Sequence, residues 1–470
     1  MQVIGTSHIS TYPLRSQIPV ALGACILIAM VWKIGGHPLI PVILAALPIA
    51  GFMALSNAFL VVLGFIIFSF FRIHEVFPFL MPFKLPMLLA LASFMALGWN
   101  IFSGKIQLFW TREMSVFIAF FTIVVLGALF ATNRAVAFES LTGTYMKIAV
   151  IVLAIIWMTR SIREFRLASF LICLSGILVA CFALYNSVNG IGLVEGTRVT
   201  IGRDIGSMLG DPNDLALVLL FPAAFGLSYV MSSNIKWYDR ALGLFTIALM
   251  FAAILATQSR GGLLGILAVV GVFIWYKIPS KTLFFTVGIL GVLVLYSVAD
   301  ISERASGGAH EIGIDESAMG RIYAWKAAFW MAVHNPLTGV GISNFVYNYW
   351  EYSDFWDGKN HAVHSTWFGV LAETGFFGLG LFITLIVMSI RNMMRLIEKL
   401  KDFPEHPYLC AMAMALLAGL AGFCASGTFL TMGFIWPFYI MFGLSLALCR
   451  IVSQIENPPT TLSPQPHLSH

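Results

Sequence analysis

The feature that most limits how this chain can fold is a nearly unbroken series of apolar segments, each close to the length of a membrane-spanning helix. A helix needs about 20 apolar residues to cross the roughly 30 Å hydrocarbon core of a bilayer. A strand hairpin would leave backbone groups unpaired in lipid, so the segments are predicted to be helices. They occupy residues 17–33, 37–54, 57–73, 85–103, 114–131, 146–159, 166–188, 213–232, 238–257, 261–277, 281–299, 366–390, 407–426 and 429–449.

Composition agrees with this pattern, because 59% of the 470 residues are hydrophobic and only 10% are charged. A soluble domain cannot hide that much apolar surface. The stretch 37–73 fits either two spans joined at Ser56 and Asn57 or one broken, re-entrant element, and the segment 146–159 is short. We therefore predict an all-α polytopic integral membrane protein with 12–14 transmembrane helices.

The short links between spans indicate how the chain is oriented. The links 159–166, 234–240, 277–281 and 391–401 are all basic and fall on alternate turns, so the excess of positive charge predicts that they are cytoplasmic, together with both termini. The connections 132–145, 189–212 and 300–365 then face the other side of the membrane. The formal charge of +5 belongs to the cytoplasmic rim and does not indicate a nucleic-acid partner.

The same pattern divides the chain into five regions. They are N-terminal transmembrane helices (1–188), central transmembrane helices with outward-facing arginine-bearing loops (189–299), a large outer loop (300–365), C-terminal transmembrane helices (366–456) and a disordered cytoplasmic tail (457–470). The large loop holds eight acidic and four basic residues, which supports its outward position. All six cysteines lie in apolar segments, so we expect neither a disulfide framework nor a cysteine-based metal site.

Within the large loop, residues 319–334 have the periodicity of an amphipathic helix. The apolar stripe is formed by Ile322, Trp325, Ala328, Phe329 and Ala332. Asn335 and Pro336 are predicted to end the helix in a glycine-rich turn. Arg321 lies in the first turn, where the helix dipole opposes a cation, so an anion is expected nearby.

A second cation, Arg260, stands between two apolar segments in the stretch "ATQSRGGLLGIL". An arginine that extends its side chain to the membrane interface would explain it equally well on spacing alone. The glycines at 261 and 262 allow close backbone approach at the start of a helix, whose free N–H groups favour an anion. That combination favours a phosphate ligand.

The stretch "HAVHST" precedes the span at 366–390. His361 and His364 would share a face if this turn were helical, and Ser365 is a candidate N-cap. Two interfacial histidines can simply bond to lipid head groups or to loop backbone. Alternatively, one imidazole is a general base for a hydroxyl or a ligand of a phosphate. Zinc is disfavoured, since no His-Glu-x-x-His motif or matching acid is present.

The outer loop 189–212 contains Arg198 and Arg203 among acidic residues. These arginines and His361 are candidates for secondary donor or acceptor contacts, and the arginines would bind a second phosphate or sugar carboxylates. Asp211 is predicted to cap the next helix, with Pro212 in its first turn.

Three stretches resemble the O-antigen ligase and polymerase superfamily of bacterial envelope glycosyltransferases. They are "SRGG" (259–262), "GRIYAWKAAFWMAVHNPLTGVGISNF" (320–345) and "HSTWFGVLAETGFFGL" (364–379), and their order and spacing also match. The resemblance covers residues 210–380, and "FFRIHEVFP" (70–78) is a weaker likeness.

The resemblance implies a metal-independent, inverting transfer of a glycan from undecaprenyl pyrophosphate to a hydroxyl acceptor at the periplasmic face of the bacterial inner membrane, with no cofactor. The family's two loop arginines correspond to Arg260 and Arg321, and its histidine to His364. The family commonly has Asn after that histidine, whereas this chain has Ser365, which puts in doubt only a role that needs an amide.

The resemblance favours an O-antigen ligase whose acceptor is lipid A-core. A polymerase of the same superfamily and a protein O-oligosaccharyltransferase would use the same donor. A lipid-linked glycan flippase is less favoured, because a transport route needs charges deep in several spans and this chain keeps nearly all its charges at the ends of its spans.

Overall fold

The structure is a computed structural model that describes residues 57–278, 280–298, 318–354, 356 and 358–456, together with the single positions Lys33 and Gly51. The chain divides into two compact units, Met1–Ala58 and Phe59–His470, and the candidate site lies in the second. Apart from the two single positions, the spans predicted at 17–33 and 37–54 lie outside the described residues. So do residues 300–317 of the large loop and the tail 457–470.

The described residues fold almost entirely into helices. In chain order they are α1 (Ala58–Phe70), α2 (Ile73–Val76), α3 (Leu85–Phe102), α4 (Arg112–Phe130), α5 (Arg134–Met158), α6 (Ile162–Asn189), α7 (Pro212–Met231), α8 (Trp237–Thr257), α9 (Arg260–Lys277), α10 (Lys281–Val298), α11 (Ala318–His334), α12 (Phe345–Tyr352), α13 (Thr366–Leu400), α14 (Pro407–Gly427) and α15 (Trp436–Glu456).

Ten helices in the described part of the chain are long and apolar enough to cross a membrane, namely α3 to α9 and α13 to α15. Shorter apolar stretches of helix are α1 (Ala58–Phe70) and residues Thr282–Gly291 of α10. The prediction of an all-α polytopic membrane protein is therefore confirmed. The predicted total of 12–14 spans includes two that lie outside the described residues.

Two predicted links are wrong, because both continue a helix. The link at 132–145 is helical from Arg134, and α5 runs on to Met158 through a π-helical turn at Leu141–Tyr145. Asn133 caps this helix by accepting a hydrogen bond from the Val136 N–H (3.3 Å). The link at 391–401 is helical as far as Leu400, where α13 ends. The helix continues through it because the buried residues keep helical spacing beside exposed basic residues; they are Met393, Leu396, Ile397 and Leu400.

Helix α13 is bent at Gly375, where the backbone angles (φ 68°, ψ −170°) belong to a region that only glycine occupies readily. The turn after α11 fits into this bend: the Phe376 N–H donates to the Pro336 carbonyl (3.0 Å), and the Val340 N–H donates to the Ala372 carbonyl (2.9 Å). A Cβ atom on Gly375 would lie 2.4 Å from the Pro336 oxygen. The bend therefore fixes the end of α11 against α13.

Candidate active site

Helix α9 begins with a side-chain cap that ties it to the start of α7. The Ser259 hydroxyl accepts a hydrogen bond from the Gly262 N–H (3.1 Å) and donates one to the Asn213 side-chain oxygen (2.8 Å). The preceding residue, Gln258, has φ 49°, a left-handed conformation that residues other than glycine rarely adopt. The chain therefore turns sharply just ahead of Arg260.

Arg260 is the first residue of α9, and its side chain is exposed. It forms no hydrogen bond or ion pair with any other residue that the structure describes. Its five N–H donors are thus available to an anion. The unpaired N–H groups and dipole of the helix N-terminus add to that attraction.

The last turn of α14 lies between the first turns of α9 and α13. A Cβ atom on Gly261 would lie 3.6 Å from both the carbonyl and the hydroxyl oxygen of Ser426, and one on Gly427 would lie 3.1 Å from the Thr366 hydroxyl. The Thr366 hydroxyl also donates to the Leu430 carbonyl (2.7 Å), which fixes the start of α13 to the chain after α14. We call this end of the bundle, where α9 and α13 begin and α14 ends, the site end.

His364 stands two residues before α13, at the site end, with its side chain half-buried. Its backbone is left-handed, with φ 45°, and its neighbours Val363 and Ser365 are buried. Holding a non-glycine residue in that region costs on the order of 1–3 kcal/mol, and such strained positions cluster at active sites. The strained backbone therefore distinguishes His364 from the other residues of the stretch 361–365 as a candidate functional residue.

Two expectations for the stretch before α13 are not met. Residues 361–365 are not helical, so His361 and His364 do not share a helix face. The Ser365 side chain does not cap α13, and its buried hydroxyl has no hydrogen-bond partner among the described residues. His361 is buried, with its ring edge-on to Tyr349 and 5.1 Å between ring centroids. His361 is therefore part of the packed interior beside the site.

Arg321 lies on α11, and Trp325 holds this helix against the start of α13. The indole Nε1–H of Trp325 donates to the Val363 carbonyl (3.1 Å), and its ring stacks on Phe368 with a centroid distance of 5.2 Å and an interplanar angle of 9°. Arg321 lies one turn earlier on the same helix face and is half-buried. The helix bearing the second arginine is thus fixed to the residue before His364.

The apolar stripe predicted for α11 is only partly correct. Ile322 and Phe329 are exposed, with relative exposures of 49% and 44%, whereas Ala328 and Ala332 are buried as predicted and Trp325 is half-buried. Small side chains at Ala324 and Ala327 complete the buried face. Small residues let two helices approach closely, and these alanines cluster with Val363 and Ala372 at α13. The ring of Phe329 still contacts Phe376 of α13, with 6.2 Å between ring centroids.

Glu373 is a positioning residue that the sequence pattern does not single out. Its buried carboxylate accepts hydrogen bonds from the N–H groups of Ser343 (2.8 Å) and Phe345 (3.3 Å), at the start of α12. Nearby, the Asn344 side chain accepts a hydrogen bond from the Asn133 N–H (2.7 Å), which joins this turn to the start of α5. In the sequence, Glu373 could have been noticed as an acidic residue inside an apolar span, two residues before Gly375.

The arginines of the 189–212 loop differ in their surroundings. Arg198 donates to the Thr257 carbonyl (3.3 Å) and the Asn213 side-chain oxygen (3.0 Å), and it pairs with Glu195 (3.4 Å). It ties the loop to the neighbouring helices. Arg203 is exposed and donates to the Gly210 carbonyl (3.3 Å), and it lines a cavity of about 500 Å³.

The predicted cap of α7 is confirmed. Pro212 is the first residue of the helix, and the Asp211 carboxylate accepts hydrogen bonds from the N–H groups of Asn213 (2.7 Å) and Asp214 (3.3 Å). This cap holds Asn213 in place for its contact with Ser259.

The stretch 70–78 supplies a further polar cluster that contacts the 189–212 loop. The Glu75 carboxylate accepts a hydrogen bond from the Ser207 hydroxyl (2.5 Å) and lies 3.3 Å from Arg72 Nε and 3.5 Å from His74 Nε2. Burial lowers the pKa of His74, although the nearby Glu75 opposes that shift. The cluster anchors the short helix α2 to the loop that carries Arg203.

Among the residues that the structure describes, no three His, Cys, Asp or Glu side chains are grouped so that they could hold a metal ion. Arg260, Arg321 and His364 offer guanidinium and imidazole groups, whose chemistry is anion binding and proton transfer.

The comparison with known families agrees with this geometry. The family model described as O-antigen ligase (Wzy_C) matches residues 245–383, a segment that runs from the middle of α8 to the helix beyond the bend of α13. Arg260, Arg321 and His364 all fall within it. No curated protein matches the chain at a significant level. We conclude that this multi-pass membrane protein carries a domain of the O-antigen ligase family at residues 245–383, which confirms the likeness to the O-antigen ligase and polymerase superfamily found in its motifs.

Proposed function

We propose that this protein transfers an O-antigen glycan from undecaprenyl pyrophosphate to a hydroxyl group of lipid A-core, with inversion at the reacting sugar carbon and without a metal ion. The observation that carries the proposal is the meeting of three elements at one end of the bundle: the start of α9 with Arg260, helix α11 with Arg321 and the strained turn with His364. The family match over the segment that contains all three supports the reaction class.

In the proposed mechanism, Arg260 and Arg321 bind the pyrophosphate of the donor. A guanidinium group presents parallel N–H donors that fit two phosphate oxygens at once. As the bond between the sugar and the diphosphate breaks, negative charge grows on the departing oxygen, and the hydrogen bonds from the arginines strengthen. Arg260 suits this role because its side chain has no other partner in the described part of the chain.

His364 is the proposed general base for the acceptor. The acceptor oxygen forms a bond to the reacting sugar carbon from the face opposite the diphosphate, and the carbon–oxygen bond to the diphosphate breaks. The hydroxyl proton passes to the imidazole of His364, and undecaprenyl pyrophosphate leaves with the electron pair of the broken bond. General-base catalysis of this kind contributes roughly 10²–10⁴-fold to the rate.

The membrane explains why such groups lie at helix ends. Donor and acceptor are both lipid-linked, so they reach the site by diffusing sideways in the bilayer. We propose that the site end faces the periplasm and that the membrane is the bacterial inner membrane, with both termini cytoplasmic. The basic link 277–281 lies at the end of α9 opposite Arg260. The basic links 159–166, between α5 and α6, and 234–240, between α7 and α8, fall on the same side because the spans alternate in direction, and all three links support this orientation.

Burial gives little support to the flippase alternative. A transport route would place charged groups deep in several spans. Among the described residues, the buried carboxylates are Asp239 and Glu373, both close to the starts of their helices. Their partners tie helices and turns together and do not line a route through the bilayer.

Reconstitution with defined substrates tests the proposal. The purified protein is given undecaprenyl-pyrophosphate glycan and either lipid A-core, a serine-containing acceptor protein or a second donor molecule, and the products are analysed by mass spectrometry. A product that bears lipid A-core is expected. A longer lipid-linked glycan would select polymerase, and a glycosylated protein would select protein O-oligosaccharyltransferase. Absence of any transfer, with translocation of the donor in vesicles, would overturn the enzyme assignment.

A further inference from the structure

A long apolar cavity lies beside α9, between α10, α13 and α14. Its volume is about 740 Å³, and its lining runs along α9 from Leu264 to Tyr276. Gly271 and Gly288 form part of its wall, and a Cβ atom added to either would meet nothing within 4 Å. The cavity is therefore a groove with room for hydrocarbon chains.

A second cavity of about 430 Å³ lies at the end of the bundle opposite the site end. It is bounded by the end of α9, the link between α7 and α8 and the link between α13 and α14. Lys277, Lys401 and His406 line it together with the polar Ser233 and Asn234. None of the described residues that line it is acidic, so its lining favours an anion.

The two lysines at the second cavity, Lys277 and Lys401, differ in their ion pairs with the described residues. Lys401 pairs with Glu398 at 2.6 Å, but both side chains are more than half exposed, so water weakens this pair. The ammonium group of Lys277 is exposed and has no partner among the described residues. The acids Glu398, Asp402 and Glu405 of this end do not line the cavity, so an anion between Lys277 and Lys401 would meet two ammonium groups there.

Tyr276 joins the two cavities, since it lines both. Tyrosine and tryptophan prefer the level of lipid head groups, where one end of the ring system is apolar and the other is hydrated. Tyr276 and the adjacent Trp275 thus mark the boundary between a region suited to acyl chains and a region suited to a charged head group.

We propose that the two cavities together bind one anionic phospholipid, with its phosphate between Lys277 and Lys401 and its acyl chains in the apolar groove along α9. Basic pockets between transmembrane helices commonly bind anionic head groups. The lipid-linked glycan donor is a poorer fit. Arg260 and Lys277 are at opposite ends of α9, about 25 Å apart at 1.5 Å per residue, so a pyrophosphate held by Arg260 cannot reach the lysines.

Native mass spectrometry of the full-length protein tests this site. The protein is purified in detergent and titrated separately with dioleoylphosphatidylglycerol, with dioleoylphosphatidylethanolamine and with undecaprenyl phosphate. We expect one tightly retained phosphatidylglycerol and no comparable binding of phosphatidylethanolamine. The double variant Lys277→Ala/Lys401→Ala should bind phosphatidylglycerol about thirty-fold more weakly, the loss expected for two lysines near an anionic lipid. The matched control is Lys399→Ala, because Lys399 lies near Lys401 but pairs with Glu456 (3.2 Å) and does not line the cavity.

A second variant separates the acyl chains from the head group. Gly271→Leu puts a side chain into the groove at a helical position where leucine is favoured over glycine, so folding should be preserved. It should weaken dioleoylphosphatidylglycerol but leave short-chain dihexanoylphosphatidylglycerol unchanged. Gly98→Leu is its control, since Gly98 lies on α3 in equally open space.

Equal retention of the two phospholipids, or unchanged binding in the double lysine variant, would overturn the proposal. Preferential retention of undecaprenyl phosphate at the lysines would also overturn it and would reassign the groove to the donor. None of these outcomes depends on glycan transfer.

Discussion

The indole Nε1–H of Trp325 donates a 3.1 Å hydrogen bond to the carbonyl oxygen of Val363, the residue immediately before His364. This single bond joins the helix that carries Arg321 to the strained turn that carries the proposed base. The stacking of the same indole on Phe368 extends the contact into the first turn of α13. Trp325 is therefore a positioning residue for both groups.

Trp325→Phe should keep the aromatic packing and lose the hydrogen bond. We expect a stability loss of about 1 kcal/mol. Turnover should fall by about tenfold or more, because displacements of roughly 1 Å in a site can cost about 10²-fold in rate. Turnover with a lipid-linked glycan and the thermal midpoint are measured side by side. Trp330→Phe, on the exposed face of the same helix, is the control, and an equal loss of turnover in both variants would contradict this role.

His364→Ala should lower turnover by roughly 10²–10⁴-fold, the usual contribution of a general base, while donor binding is kept. The measurements are single-turnover transfer and donor titration on the purified variant. Normal turnover would rule out the assignment.

His361→Ala is the comparison for the histidine prediction, and we expect it to lower turnover far less than His364→Ala does. His361 packs edge-on against Tyr349 in the interior, so this variant should lose stability by about 1–3 kcal/mol, as is usual for a buried truncation. Activity is therefore normalised to folded protein. Equal catalytic loss in both variants would mean that both imidazoles act.

Arg260→Ala and Arg321→Ala should each weaken donor affinity and rate together. Hydrogen bonds to charged groups contribute about 1.5–3 kcal/mol, so a loss of roughly ten- to a hundred-fold is expected. Titration with undecaprenyl pyrophosphate gives the affinity. Arg134→Ala is a matched control, since Arg134 is also an exposed first residue of a helix. Unchanged donor titrations in both site variants would exclude pyrophosphate contacts by these arginines.

Gly375→Ala should destabilise the protein by about 2–3 kcal/mol or more, because its backbone region is strained for other residues and the new Cβ would meet the Pro336 oxygen at 2.4 Å. Thermal unfolding in detergent measures the change. Gly380→Ala, on the same helix with nothing within 4 Å, should be neutral or slightly stabilising. Similar behaviour of the two variants would show that the bend does not depend on glycine.

The pKa of His74, lowered by burial, predicts a pH dependence of stability. The unfolded chain binds this proton more readily than the folded protein, so stability falls as pH drops from about 6.5, the usual histidine value, to the lowered folded pKa. Thermal unfolding followed by tryptophan fluorescence should show this loss. His74→Gln should flatten it, whereas the exposed His334→Gln should not. An unchanged slope in His74→Gln would assign the loss to other groups.

The sequence by itself determined the class of fold and the candidate chemistry. Apolar length is a local property that the bilayer imposes on each segment, so most spans could be predicted without knowing how they pack. The same holds for Asp211 as a cap, because its bonds reach only two and three residues along the chain. The charged residues Arg260 and Arg321 were conspicuous for a related reason, since a cation among apolar residues needs an explanation.

Only the tertiary structure decided how these residues are arranged. The left-handed turn at His364, the burial of His361 and the bend at Gly375 depend on contacts between segments far apart in the chain, such as Trp325 with Val363 and Pro336 with Phe376. In the sequence, Glu373 is an isolated acid inside a span. The structure shows that its carboxylate accepts hydrogen bonds from the N–H groups of Ser343 and Phe345. Hydrogen bonds of this kind join residues that are far apart in the sequence and that no local periodicity relates. The site that they build can therefore be recognised only when the packing of the helices is known.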